Sequence, residues 1–188
     1  YATYPGRPDY AALVQDYCDS HLREHAAEPE LTVTEYPADA RNRIVELVFS
    51  YPASRRELQE MQQDVRESLA AAEVYVRYCT SETEKAALLF TYLAERFPYR
   101  QGDSRTPVYS ALCQGVANSK SMAQSWQLLC DEAGLSCRTV SGLRGGEAYW
   151  WNIVTLDGVS CHVDVLRDLL DGSTLRLRYD EDMAGGYY

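Results

Sequence analysis

Cys113 is the residue of this chain best placed for nucleophilic chemistry. The residues after it, 114–133, carry Val116, Ala117, Ala123, Trp126, Leu129 and Cys130 at helical spacing and stop at Gly134, a natural residue just past a helix end. A thiol at the mouth of such a helix meets unpaired N–H groups and a partial positive charge, which stabilise a thiolate and a nearby oxyanion. Farther along, Asp157-Gly158 is a hairpin turn signal between two strand-like runs. With those two residues as the turn, Leu156 opposes Val159, Ile153 opposes His162, Trp151 opposes Asp164 and Tyr149 opposes Leu166. Alternation of side chains then puts Tyr149, Trp151, His162 and Asp164 on one face. Tyr149 and Asp164 become diagonal neighbours, with Cα atoms about 7–8 Å apart. A side chain at 149 can therefore reach from Asp164 toward a thiol on the packed helix.

The other cysteines read differently. Cys130 lies deep in the helix and Cys137 opens the next strand, so both read as structural. None of the six forms a C-x-x-C pair, which argues against a zinc knuckle or a dithiol redox motif. The even number permits disulfides, but buried free thiols fit a chain of this length equally well. His21 and His25 stand at i, i+4 on a predicted helix and could hold a metal. No third ligand lies nearby in sequence, so a solvated or half-buried helix face is the simpler reading, and no metal or cofactor is expected.

The elements that position these residues follow from pattern. Tyr10, Leu13, Val14, Tyr17, Cys18 and Leu22 predict an amphipathic helix over 9–25. The β-rich runs 31–37 and 43–51 predict an antiparallel pair. Ser54 with Glu57, and Ser81 with Glu84, are capping-box signatures ahead of helices over 54–72 and 82–97, the second stopped by Pro98. Residues 98–111 read as loop. Strands are expected at 136–143, 148–156, 159–165 and near 173–179. Helices first, then a helix feeding an antiparallel sheet, is an α+β layout. We divide it into an N-terminal helix/β-hairpin/helix extension, 1–75, and a core, 76–188.

Composition narrows the partners. With 18 basic and 28 acidic residues, the net charge of −10 argues against nucleic acid or an anionic membrane as the main partner. No apolar run approaches the roughly 18 residues of a membrane-spanning helix. Hydrophobic residues at 46% support an ordinary packed core. A start at Tyr1 predicts that an upstream segment has been removed, a signal peptide or anchor being one explanation.

Several stretches resemble the bacterial transglutaminase-like family. They are Cys-Gln-Gly-Val-Ala at 113–117, Leu-Leu-Cys-Asp-Glu-Ala-Gly-Leu-Ser-Cys-Arg-Thr-Val-Ser-Gly at 128–142, Trp-Asn-Ile-Val-Thr-Leu-Asp-Gly at 151–158, His-Val-Asp-Val at 162–165 and Arg-Tyr-Asp-Glu-Asp-Met at 178–183. The resemblance is strong over 110–185 and weaker over about 50–100. It implies a papain-like α+β core with the nucleophile helix packed on the sheet, and a Cys–His–Asp triad for acyl transfer or amide hydrolysis. By resemblance the nucleophile falls on Cys113 and the orienting carboxylate on Asp164, with Gln114, Trp150, Trp151, Asn152 and His162 as cleft candidates. It also implies export to the surface or exterior of a bacterium.

Two departures stand out. Where the family reads His-Ala-Trp-Asn, this chain has Tyr149-Trp150-Trp151-Asn152. The family also carries a short Gly-containing insertion between an Ala-Leu pair and the nucleophile, whereas Ala111-Leu112 runs straight into Cys113. A phenol near pKa ~10 is almost wholly protonated at neutral pH and cannot replace a histidine base. His162 shares the face but sits two residues from Asp164 along the strand, so a structural role is favoured over rescue. The lesser alternatives are that Cys113 is an ordinary buried thiol and that Asp164 simply satisfies Tyr149 or Trp151; the three tryptophans read as packing before ligand platform. The expectation is a degenerate site that binds a peptide, protein or cell-wall-like ligand. The alternatives are a working thiol peptidase, amidase or acyltransferase, and a purely structural module of a larger surface protein.

Overall fold

The computed structural model describes residues 8–24, 27–37, 43–184 and 186–187. Its first helix, α1 (Tyr10–Ser20), starts where the Asp9 side chain accepts from the Ala12 amide, and it ends at His21, short of the expected boundary. His25 lies outside the described residues, as do residues 38–42 between the two strands. Strands β1 (Glu30–Pro37) and β2 (Arg43–Ser50) pair antiparallel, from Glu30 opposite Ser50 to Pro37 opposite Arg43.

Helix α2 (Arg55–Val76) opens on a complete capping box: Ser54 Oγ accepts from the Glu57 amide at 3.3 Å and Glu57 accepts from the Ser54 amide at 2.8 Å. Such a cap is worth about 1 kcal/mol. Helix α3 (Glu82–Arg96) has only half of the expected box, the Glu84 amide donating to Ser81 Oγ. Its remaining first-turn donors go to the hairpin residue Asp157, which accepts from the Glu82 amide at 3.1 Å and from the Thr83 amide and hydroxyl at 3.2 and 2.8 Å. Asp157 itself stands at φ 51 and Gly158 at φ 84, the two positive angles a tight hairpin turn requires.

The segment 98–118, expected as a loop running into a long helix, is built otherwise. It holds β3 (Arg100–Gln101), the single turn α4 (Pro107–Tyr109), a π-helical turn over Ser110–Gln114 and β4 (Val116–Ala117), which pairs in parallel with β3. Gly115 at φ 68 ends the π turn. Helix α5 (Ser119–Glu132) therefore begins only at Ser119, capped by Asn118, which accepts from the Ser121 amide at 2.8 Å. Val116 and Ala117 fitted a helical period but serve strand pairing, so Cys113 is not at the helix mouth. Gly134 does follow the helix end, at φ 73.

β5 (Ser136–Arg144), β6 (Glu147–Leu156) and β7 (Val159–Val163) form one antiparallel sheet in that order. The β6–β7 register is the one expected, from Leu156 opposite Val159 to Asn152 opposite Val163. It stops there: Asp164 leaves the strand to cap α6 (Val165–Leu170), so the opposed pairs Trp151–Asp164 and Tyr149–Leu166 do not form. The run near 173–179 is not a strand; it touches the sheet through a single bridge between His162 and Arg178. A last turn, α7, spans Asp180–Met183.

One face of the sheet packs on α5. Asn152 Nδ2 donates to the Ala123 carbonyl at 2.9 Å, and Thr139 Oγ1 donates to the same carbonyl at 3.2 Å. Around that contact α2, α3 and α5 bury Leu69, Leu89, Leu93, Trp126 and Leu129 against Val154 and Val163. Burial of one large side chain of this kind stabilises by about 1.5–3 kcal/mol. The α+β expectation holds, and α2 contributes to the core although all but its last residue, Val76, falls within 1–75 of the sequence division. No helix among the described residues is long and apolar enough to cross a membrane.

Candidate active site

Asp164 is 2% exposed, and both its oxygens are occupied. Oδ1 accepts the Tyr149 hydroxyl at 3.0 Å and the Arg167 amide at 3.2 Å. Oδ2 accepts the Tyr187 hydroxyl at 2.6 Å, and Arg144 stands 3.9 Å away as its counter-ion. The Arg144 guanidinium lies 4.9 Å over the Tyr149 ring and 5.6 Å over the Tyr187 ring. Tyr187 also packs edge-on against Trp151, centroids 5.2 Å apart. Burial, then the charge of Asp164, pushes the Tyr149 phenol up, with Arg144 opposing. Tyr149 is thus held protonated as a hydrogen-bond donor.

His162 is equally committed. Trp151 Nε1–H donates to its Nδ1 at 2.9 Å, which leaves the proton on Nε2, 2.9 Å from Asp180 Oδ1. No hydrogen bond among the described residues joins His162 to Tyr149, Asp164 or Cys113. Asn152 ties the sheet to α5, and Gln114 accepts from Ser110 within the π turn.

The side chain at the mouth of α5 beside the hairpin is Ser119. The Trp150 amide donates to its Oγ at 3.4 Å, available because Trp150 lies beyond the last β6–β7 pair. Cys113, in the π turn, packs against the edge of the main core instead. Its thiol is pushed up to about 11 by burial and by the negative charge of Asp64, with Arg96 opposing. The structure brings Tyr149, Trp151 and Asp164 together, and no hydrogen bond among the described residues joins Cys113 to them. Sequence reading missed Ser119, Arg144 and Tyr187. The Asn118-x-x-Ser121 cap was a readable sign of where α5 starts, whereas Tyr187 is a long-range contact with no local signal.

The family model described as the transglutaminase-like superfamily matches residues 67–165, more than half of the chain. The chain belongs to the transglutaminase-like superfamily. Solved structures similar to this transglutaminase-like chain include a candidate protease of Parabacteroides distasonis, at 12% identity and TM-score 0.43, covering 76% of this chain and 38% of that one. A TGase matches at 9% identity and TM-score 0.46, covering 87% and 49%. A candidate cysteine protease of Cytophaga hutchinsonii matches at 9% identity and TM-score 0.46, covering 82% and 68%. The chain thus spans less than half the length of the first two. No curated protein matches it.

The six cysteines are unpaired in this transglutaminase-like fold. Among the described residues no three or more His, Cys, Asp or Glu side chains are grouped to hold a metal. His21 Nδ1 instead lies 2.9 Å from the Tyr17 carbonyl, its ring stacked on Tyr17.

Proposed function

We propose that this transglutaminase-like domain performs no acyl transfer and serves as a ligand-binding module, with Ser119, Tyr149 and Asp164 at the positions of nucleophile, proton carrier and orienting carboxylate. The observation that carries the reading is the Tyr149–Asp164 hydrogen bond. An imidazole has two nitrogens, one for the carboxylate and one for the nucleophile's proton. A phenol has a single polar atom, and here it is spent on Asp164.

The placement of Ser119 rests on the start of α5 and on the spacing of the family. Residues 113–118, containing Gly115, follow Ala111-Leu112 as the family's Gly-containing insertion does, and Ser119 then opens the helix. A serine hydroxyl is a poor nucleophile without a base, and its Oγ here accepts a backbone N–H. A thiol enzyme built on Cys113 is disfavoured by the same geometry. At a pKa of about 11 roughly 10⁻⁴ of that thiol is ionised at pH 7. The ligand is of the peptide, protein or cell-wall-like kind, held by the cleft surfaces around α5 and the hairpin.

Reconstruction tests the reading. The native chain is expected to show no hydrolysis or aminolysis of glutamine-containing peptides or thioesters. Ser119→Cys combined with Tyr149→His is expected to raise turnover by about 10⁴-fold or more above either single change. Substantial native turnover abolished by Cys113→Ala would overturn the proposal and establish the thiol enzyme.

A further inference from the structure

We infer that β2 pairs edge to edge and antiparallel with β2 of a second copy of this chain, joining two hairpins into a four-stranded sheet. The inference is independent of the acyl-transfer question. Strands β1 and β2 form a sheet of two, and among the described residues no further strand pairs with it. Two strands alone are marginal in water, and a free edge is a row of unpaired N–H and C=O groups. The register puts Leu31, Val33, Val45, Leu47 and Phe49 on one face, while Thr32, Thr34 and Glu46 alternate with Tyr36, Ile44 and Val48 on the other. The apolar face is poorly covered: Val33 is 39% exposed, Leu47 37% and Phe49 44%. Helix α1 approaches it but leaves a groove of about 380 Å³, lined by Leu13, Val14, Leu47 and Phe49, among others.

Charge and register select the edge and its occupant. β1 is guarded: Pro29 precedes it, Pro37 ends it, and it carries Glu30 and Glu35. β2 holds no proline, and Glu46 is its one acidic residue. Arg105 donates to the Ser50 carbonyl at 2.9 Å, which closes that end of the strand. When a strand pairs antiparallel with its own copy, the two-fold axis falls on a residue that faces itself. With the axis at Leu47, Leu47 meets Leu47, Val45 meets Phe49 and Glu46 meets Val48. An axis at Glu46 sets two carboxylates against each other. An axis at Val45 leaves Phe49 outside the pairing, and one at Val48 leaves Val45 outside. The Leu47 register thus joins the apolar faces of both copies without opposing like charges. A chain of net charge −10 repels its copy over most of its surface, and along this strip the repulsion is least. One strand edge is a small contact, so the dimer is reversible, with a Kd of ~1–100 μM.

Sedimentation equilibrium of the full chain from ~1 μM to ~1 mM tests this. A monomer–dimer equilibrium is expected. Leu47→Lys, which sets two ammonium groups at the axis, should weaken it by ~10-fold or more. Thr32→Lys, at an exposed position on β1, should leave it unchanged. Cross-linking by oxidised glutathione reads the register, since facing residues bring Cβ atoms ~4.5–5.5 Å apart. Leu47→Cys should link to itself above the background of the native cysteines. Val45→Cys and Phe49→Cys should link when mixed and not when alone. A chain monomeric to ~1 mM, a dimer indifferent to Leu47→Lys, or stronger linking by Val45→Cys alone than by Leu47→Cys would overturn the inference. Saturable pairing of a monomeric chain's β2 amides with an acetylated valine–threonine hexapeptide would overturn it too, giving the edge to an extended peptide instead.

Discussion

The Tyr187 hydroxyl donates to Asp164 Oδ2 at 2.6 Å, joining the C-terminal end of the described chain to the carboxylate that caps α6. Tyr187→Phe keeps the ring packing on Trp151 and removes one donor from a buried carboxylate. The expected loss is about 1–3 kcal/mol, read by urea unfolding at pH 7. A loss below ~0.5 kcal/mol would mean that Arg144 and Tyr149 satisfy the carboxylate without it.

Cys113 should behave as a protected thiol. Alkylation by iodoacetamide at pH 6–7 is expected to be slow and to accelerate in denaturant, whereas rapid labelling of the native chain would show a depressed pKa. The linkage has a definite sign. The folded thiol, at about 11, binds its proton more tightly than the unfolded one near ~8.5. Its contribution to stability is full below ~8.5 and declines as pH rises from there toward 11. Tyr149 and Tyr187, also raised, pull in the same direction at still higher pH. Cys113→Ser should flatten the lower part of that alkaline decline in urea midpoints measured from pH 8 to 11.

Asp157 titrates the other way. The Thr83 hydroxyl, then the Glu82 amide and the Ser81 hydroxyl, donate to its carboxyl and hold it down to about 2. Its contribution is present above the unfolded value near ~3.9 and is lost as pH falls through 2. Asp157→Asn should therefore lower stability at neutral pH and flatten the acid limb between pH 4 and 2. An unchanged acid limb would show that the tether between α3 and the hairpin turn contributes nothing.

Asp168, fully buried, is bound by Arg178 through both guanidinium NH groups. Asp168→Asn leaves a buried cation without its partner and should destabilise by about 3–5 kcal/mol. Replacing the pair together, Asp168→Leu with Arg178→Met, should recover much of that. The comparison is a double-mutant cycle in urea with Asp168→Leu and Arg178→Met as the single changes; additive losses would show that the two side chains act independently.

Much of this architecture was legible because it is local. The Asp157-Gly158 turn set the β6–β7 register from two residue types and a period of two. The Ser54–Glu57 box announced α2. The reading failed where short elements compete. Val116 and Ala117 satisfy a helical period and a strand equally, and the decision went to β4 because β3 was there to pair with it. Asp164 reads as the next strand residue until its carboxylate is seen capping α6. Those two errors shaped the site, since the first moved the helix mouth from Cys113 to Ser119 and the second turned Asp164 toward Tyr187. The Arg144 stack has no sequence signal, because it depends on elements far apart in the chain.

Gly115 combines a left-handed backbone with a lack of room: a Cβ there would lie 2.5 Å from Phe97 Cβ. Any other residue must both adopt an unfavourable φ and displace the end of α3. That makes the offset between Cys113 and Ser119 a property of the backbone path. Which side chain faces the hairpin is indexed by a position that has no side chain at all, so changing the chemistry at the helix mouth is a matter of rewriting residue 119, and moving the thiol by sliding the segment is closed off.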